Sequence, residues 1–268
     1  MMPRSNPNRG SKLSLLCLLI CGALLTGCSV NIKKPNNRFV TPEVSGDLWK
    51  GKFGAYLTGS TNIQVVENKF NDAPNTDPEL EQSSDFGLEL GLGITPRLDL
   101  YYSANFVGPG VGGVKFQLLG DNLASSKAGN FSLTPFAGWM WGGFSSETTS
   151  GEETAKSSVR LSGLEAGISL GYRVKELVLP YLTVFYSRLL GDTIVDQEEN
   201  GVSRKGVVDI GGEGEFKTAA IGVVFGKRIF FQIEACYTEA TWRRTHPTEI
   251  GADKLGVGYG GLNTGFNW

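Results

Sequence analysis

Histidine is almost missing from these 268 residues: His246 is the only one. Imidazole-based acid–base chemistry would have to rest on that residue alone. Charge is also scarce, at 19% Asp, Glu, Lys and Arg where about 25% is usual. Beyond the N-terminus no apolar run approaches the ~20 residues that a spanning helix needs. With a mean hydropathy of -0.10, this excludes a helical membrane protein. Cysteine offers little. Cys17, Cys21 and Cys28 crowd the N-terminus and only Cys236 lies beyond them, so no intrachain disulfide is expected. What the chain does have is glycine, 37 residues, and aromatics at 10%. That composition fits a β-rich protein that meets an apolar solvent.

The first 27 residues read as a targeting signal. Arg4, Arg9 and Lys12 precede an apolar run from Leu13 to Leu25, which is too short to span a bilayer comfortably. The run ends in Leu25-Thr26-Gly27-Cys28, which resembles the bacterial lipobox. The resemblance implies cleavage before Cys28 and a diacylglyceryl group on its sulfur. The alternative is an ordinary secretory signal with a chance cysteine. Ser29 after the cysteine leans toward the outer membrane by the same resemblance. Removing the signal takes away three cations and no acid, which leaves 22 Lys+Arg against 27 Asp+Glu. An acidic mature chain speaks against a nucleic-acid partner, whose usual footprint is a basic stripe. Residues 28–46 are polar, with Pro35 and Pro42 and three asparagines. They read as a lipidated tether to a domain spanning 47–268.

From there period-two alternation dominates. Phe86, Leu88, Leu90, Leu92 and Ile94 share one face, with Glu89, Gly91 and Gly93 on the other. After Thr95-Pro96-Arg97 the pattern resumes at Leu98, Leu100, Tyr102, Ala104 and Phe106. It recurs near 111–119, 131–143, 164–172, 219–225 and 229–237, with a first strand at 48–59 and a last at 253–268. Residues 177–190 are apolar on both faces, so their inward side is open. Alternate side chains of a strand face opposite ways, so each segment has one greasy side and one small or polar side. Ten strands result, with eight as the alternative. Links at 95–97, 120–130, 174–176 and 226–227 are short. Polar stretches at 60–83, 144–158, 191–213 and 243–252 read as long loops.

Short turns on one side and long loops on the other mark a transmembrane β-barrel. The chain here resembles the small outer-membrane β-barrel proteins over residues 48–268. The resemblance implies an all-β, closed, antiparallel up-and-down barrel in the outer membrane of a diderm bacterium. Its partners would be outer-membrane lipids, lipopolysaccharide and the barrel-assembly machinery. Phe266 and Trp268 match the aromatic ending that the machinery recognises, although Asn263 stands where a glycine is common. Oligomeric state is open. Both barrel ends would sit on the periplasmic side, and so would a lipid on Cys28. Trp49, Trp139, Trp141, Tyr172, Tyr181, Tyr186 and Tyr237 are candidates for interfacial girdles. The rival is a soluble sandwich or lipocalin-like barrel with its apolar face inward.

Glu89, Asp99, Lys115, Glu165, Arg173 and Glu234 lie on the small faces. In a lumen they would pair, because isolated buried charge is costly. They would either cross-link the interior or line a narrow polar pathway. Cys236 shares such a face and reads as a packed interior thiol. His246 suggests comparison with the omptin proteases, which pair Asp with His near the outer rim, but no spacing fixes a partner for it. Arg243 and Arg244 could meet lipopolysaccharide phosphate. The acidic stretches lack EF-hand spacing, and no metal or cofactor is expected. The expected role is structural, adhesive or ligand-binding through the long loops. The alternatives are a narrow channel or a rim-located hydrolase.

Overall fold

A computed structural model describes residues 28–68, 79–106, 108–150, 153–199, 202–246 and 250–268. The signal segment 1–27 lies outside them. Among the described residues there are eleven strands: β1 (Cys28–Pro35), β2 (Gly51–Asn68), β3 (Glu79–Thr95), β4 (Leu98–Asn105), β5 (Gly110–Phe116), β6 (Phe131–Ser150), β7 (Glu153–Tyr172), β8 (Val178–Glu199), β9 (Val202–Phe225), β10 (Ile229–His246) and β11 (Ile250–Asn267). From β2 to β11 each strand pairs antiparallel with its neighbour, and β2 also pairs with β11. The result is a closed up-and-down barrel of ten strands. Closure brings the barrel's two ends together: the Gly51 and Trp268 backbones exchange hydrogen bonds of 3.3 and 3.0 Å. The rim they occupy is the terminal rim, and the other is the hairpin rim.

The wall is apolar outside and polar inside. Outward residues of β10, from Ile229 through Phe231 and Ile233 to Tyr237, are exposed, Ile229 at 76%. The inward set alternating with them, Gln232, Glu234 and Thr238, is buried. β3, β7 and β9 repeat the arrangement with Leu90, Leu164 and Ile221 facing out. A soluble barrel has the reverse order, so this exterior is built to meet hydrocarbon. On β10 the greasy stretch covers eight residues of rise. At about 3.3 Å each and a tilt near 40°, that is roughly 20 Å, close to the ~25 Å belt of spanning barrels. Aromatics edge the belt. Phe266 lies 5.8 Å from Phe53 and 5.7 Å from Trp268 at the terminal rim. Tyr102 stacks on Trp141 at 5.8 Å on the other side.

Three expectations change. The polar stretches expected as long loops are mostly strand. β6 and β7 pair up to Ser150 and Glu153, and β8 and β9 pair up to Glu199 and Val202. Their polar composition hides the strands, but the backbone pairing continues through them. Residues 69–78, the centre of the first expected loop, lie outside the described residues. Tyr181 is not in a girdle. It is 3% exposed and faces the lumen, which settles the ambiguous face of β8. The largest change concerns residues 28–46, which are not a tether. Residues 28–35 form β1, paired antiparallel with the far half of β2 from Cys28↔Asn68 to Pro35↔Ser60. Cys28 therefore sits toward the hairpin rim, not on the side of the barrel's two ends as the tether reading expected. Residues 36–46 are buried except for half-buried Thr41.

Leu90→Arg would place a cation in the belt and cost about 2–4 kcal/mol if that site is near mid-membrane. Ser158→Arg, on an exposed site above the belt, is expected to stay within ~0.5 kcal/mol. Urea unfolding of the heat-modifiable form in lipid vesicles measures both. Equal midpoints would contradict the lipid-facing assignment.

Candidate functional site: an occupied lumen

The interior is shaped by the segment running down its axis. Asn36 N–H donates to the Gly59 carbonyl at 3.0 Å, ending the β1–β2 ladder. Asn37 Nδ2 then reaches Glu234 Oε1 at 3.1 Å. Arg38 Nε donates to Glu165 Oε2 at 2.7 Å, with both side chains almost wholly buried. The Val40 carbonyl accepts from Ser169 Oγ at 3.0 Å and Thr183 Oγ1 at 3.2 Å. The Pro42 carbonyl accepts from Thr134. Glu43 receives both the Nε and Nη2 groups of Arg173, the former at 3.0 Å. Asn130 Nδ2 adds a third donor at 3.0 Å. Val44 N–H meets Gln117 Oε1 at 3.1 Å, and Ser45 N–H meets Asp99 Oδ2 at 2.7 Å. Along β7 and the residue that follows it, Glu165, Ser169 and Arg173 receive Arg38, Val40 and Glu43 in order. That is a steady descent toward the terminal rim.

An isolated extended peptide cannot be buried without partners for its backbone and charges. Here the wall supplies them at nearly every step. Phe39 bends the path, with a φ of 51°, a conformation that is uncommon for a bulky residue. Its ring lies 5.5 Å from that of Tyr56. It also lies over Gly261, where an added Cβ would come within 2.7 Å of it. Gly59 is the other close approach, since a Cβ there would lie 2.3 Å from the Tyr259 ring. Toward the hairpin rim, Ile32 and Ile63 join Met140, Leu189, Phe216 and Trp242 in an apolar cluster inside the barrel. Lys34 is fully buried, with its ammonium 4.4 Å over the Phe216 ring and 5.7 Å over Phe185, a cation–π arrangement. Two cavities beside the segment measure about 30 Å³ each, room for a water or so.

The six charges expected inside do face inward, and the structure gives each a partner. Glu165 and Arg173 pair with the threaded segment as described. Glu234 accepts from Asn37 and from Tyr181 Oη, the latter at 2.6 Å. Asp99 accepts from Ser45 N–H and lies 3.5 Å from Lys115 Nζ. Lys115 also donates to the Glu43 carbonyl at 2.9 Å. Glu89 pairs with Lys52 at 2.6 Å. Cys236 is buried on the inward face, beside Ala220 and Tyr259. Arg243 faces out and meets Glu213 at 3.0 Å, while Arg244 is buried. The His246 backbone sits opposite Gly211; its side chain lies outside the described set. Phe266 and Trp268 face out at the terminal rim. Sequence reading missed Lys34, Asn37, Arg38 and Glu43. A signal for them existed. The expected lumen carries four acids against two bases, and residues 33–43 bring Lys33, Lys34 and Arg38 against one acid, Glu43.

Arg38→Met would leave Glu165 charged and unpaired, at an expected cost of about 3–5 kcal/mol. Adding Glu165→Gln is expected to recover much of that loss, read as the urea midpoint of the folded barrel. Additive losses in the double variant would show that the pair is not coupled.

No family model and no curated protein matches this chain. Solved structures similar to it include Ail, the attachment invasion locus protein of Yersinia pestis, at 11% identity and TM-score 0.30, over 82% of this chain and 99% of that one. The outer membrane protease OmpT from Escherichia coli aligns at 9% identity and TM-score 0.39, over 83% of this chain and 94% of that one. The outer membrane channel DcaP of Acinetobacter baumannii aligns at 8% identity and TM-score 0.17, over 83% and 96%. Values this low carry no residue's role from those proteins to this chain.

Proposed function

We propose that this chain is an outer-membrane β-barrel lipoprotein with a sealed lumen, acting at the cell surface in a structural, adhesive or ligand-binding role. The observation that carries the proposal is the occupied interior. Residues 36–46 fill the axis with paired charge, which favours a plugged barrel over the narrow-channel reading. The lumen charges Asp99, Lys115, Glu165, Arg173 and Glu234 then act as cross-links holding the plug, and Glu89 pairs within the wall, so none serves as a solute pathway. The binding surface falls to the paired strand extensions above the belt, β6 with β7 and β8 with β9. The short-turn rim faces the periplasm, as in spanning barrels generally. The segment 1–27 is the export signal and Cys28 carries the lipid. The assembly machinery recognises Phe266 and Trp268, and lipopolysaccharide surrounds the belt on the hairpin side.

The purified barrel in planar bilayers is expected to give no steady conductance at moderate voltage. Removing residues 29–45, in any preparation that stays heat-modifiable, is expected to open discrete current steps. Reproducible steps from the intact chain would refute the sealed lumen.

A further inference from the structure

We infer that the N-terminal segment passes through the barrel from the periplasmic rim to the exterior, so that residue 28 and any group it bears are displayed outside the cell. Two sets of contacts carry this. The first is register. β2 rises from the terminal rim, where Gly51 meets Trp268, to Asn68, and β1 lies antiparallel to its far half with Cys28 opposite Asn68. The second is continuity. Between the two rims, residues 36 to 45 touch β7, β8, β6 and β10 on their inner faces, and β4 through Asp99, in a descending order. The wall around them is a closed ring of paired strands, since β2 pairs with β11 from Leu57↔Leu262 to Lys52↔Asn267. A chain inside such a ring has two exits, and it uses both. Residue 46 leaves at the terminal rim and residue 28 lies toward the other.

The charges agree with a fixed passage and not with a loose strand resting in a pore. Arg38 and Glu43 are bound by the wall residues Glu165 and Arg173, so withdrawing the segment would break both buried ion pairs at once. A diacylglyceryl group on residue 28 would then be presented on the exterior side. The anchor would not share the periplasmic leaflet with the barrel's ends. This inference rests on the orientation given under Proposed function, and the test separates the two.

An epitope inserted between Cys28 and Ser29 is compared with one inserted between Lys175 and Glu176, in the exposed turn of the terminal rim. Intact cells are probed with antibody before and after permeabilisation. The expected result is that the first epitope is bound on intact cells and the second only after permeabilisation. Both epitopes on one side of the membrane would overturn the threading. The reverse pattern would overturn the outward display together with the proposed orientation, while leaving a threaded chain. A second measurement does not depend on the insertions. A Cβ at Gly261 would lie 2.9 Å from Asn37 Cγ, a spacing compatible with a disulfide. In a Cys236→Ala background, the pair Asn37→Cys and Gly261→Cys is expected to lose both free thiols in the heat-modifiable barrel. Two thiols that stay reactive after mild oxidation would place the segment elsewhere and overturn the inference.

Discussion

A lumen lined with more acid than base must be neutralised from within, because the surrounding hydrocarbon offers no counter-ion and the filled interior holds little water. The Arg38–Glu165 pair, 2.7 Å long and buried on both sides, is the centre of that neutralisation. Moving either ion alone from water into such a place costs several kcal/mol, and only close geometry with further hydrogen bonds offsets it. The wall's charges and the segment's charges therefore make sense only together. Glu43 shows the same logic with the sign reversed. It is the one acid the segment carries, and its carboxylate is bound by Arg173, while Lys115 meets only its main-chain carbonyl.

This mutual dependence constrains assembly. Inside hydrocarbon every strand edge must be paired, so the barrel is complete only when β2 meets β11. Residues 36–46 come before β2 in the chain and lie inside the finished ring. Strands β3 to β10 can zip in order as hairpins, but β2 brings the plug with it. A closed wall has no opening along its side, so the segment enters either through an end of the finished ring or as the β2–β11 seam closes. The β1–β2 ribbon is suited to that step. It is local in sequence, and its Ile32 and Ile63 bury against the same apolar cluster of the wall.

Much of the barrel was legible in the sequence. Five apolar residues at period two in 86–94 specify a strand with one greasy face, whatever surrounds it, and most of the wall strands follow from patterns of this kind; β8, apolar on both faces up to residue 190, does not. Two features were not legible, for different physical reasons. In the upper part of β8 and β9 the sequence is polar on both faces while backbone pairing persists, so composition there looks like loop. Residues 29–46 look like a tether because prolines, asparagines and lysines ordinarily seek water. Here the wall's own polar face replaces water, with Ser169, Thr183 and Thr134 serving the carbonyls of Val40 and Pro42. Nothing in the segment's local sequence separates hydration by solvent from hydration by a lumen. The imbalance of charge on the wall's small faces does, because even with Lys52 beside Glu89 the six expected charges leave more acid than base for another part of the chain to meet.

The seam explains why β2 can serve both roles. Its pairing with β11 ends at Leu57↔Leu262, and Leu57 with its neighbour Phe86 is the last exposed apolar pair on that side of the belt. Past that level β11 has no backbone partner on this side among the described residues. β2 is then free to turn inward, and the burial of Gly59, Ser60, Thr61 and Ile63 shows that both its faces are covered there. β1 takes the edge that β11 gives up. Tyr259 of β11 packs on the back of β2, its hydroxyl 3.1 Å from Thr61 Oγ1. Beyond it β3 approaches β11 through side chains, with Leu80 N–H donating to Asp253 Oδ2 at 2.8 Å. The wall is thus a paired cylinder where lipid demands one and an overlapped roll where water allows it. That overlap delivers the N-terminal strand to the interior while the β2–β11 seam closes the wall below it.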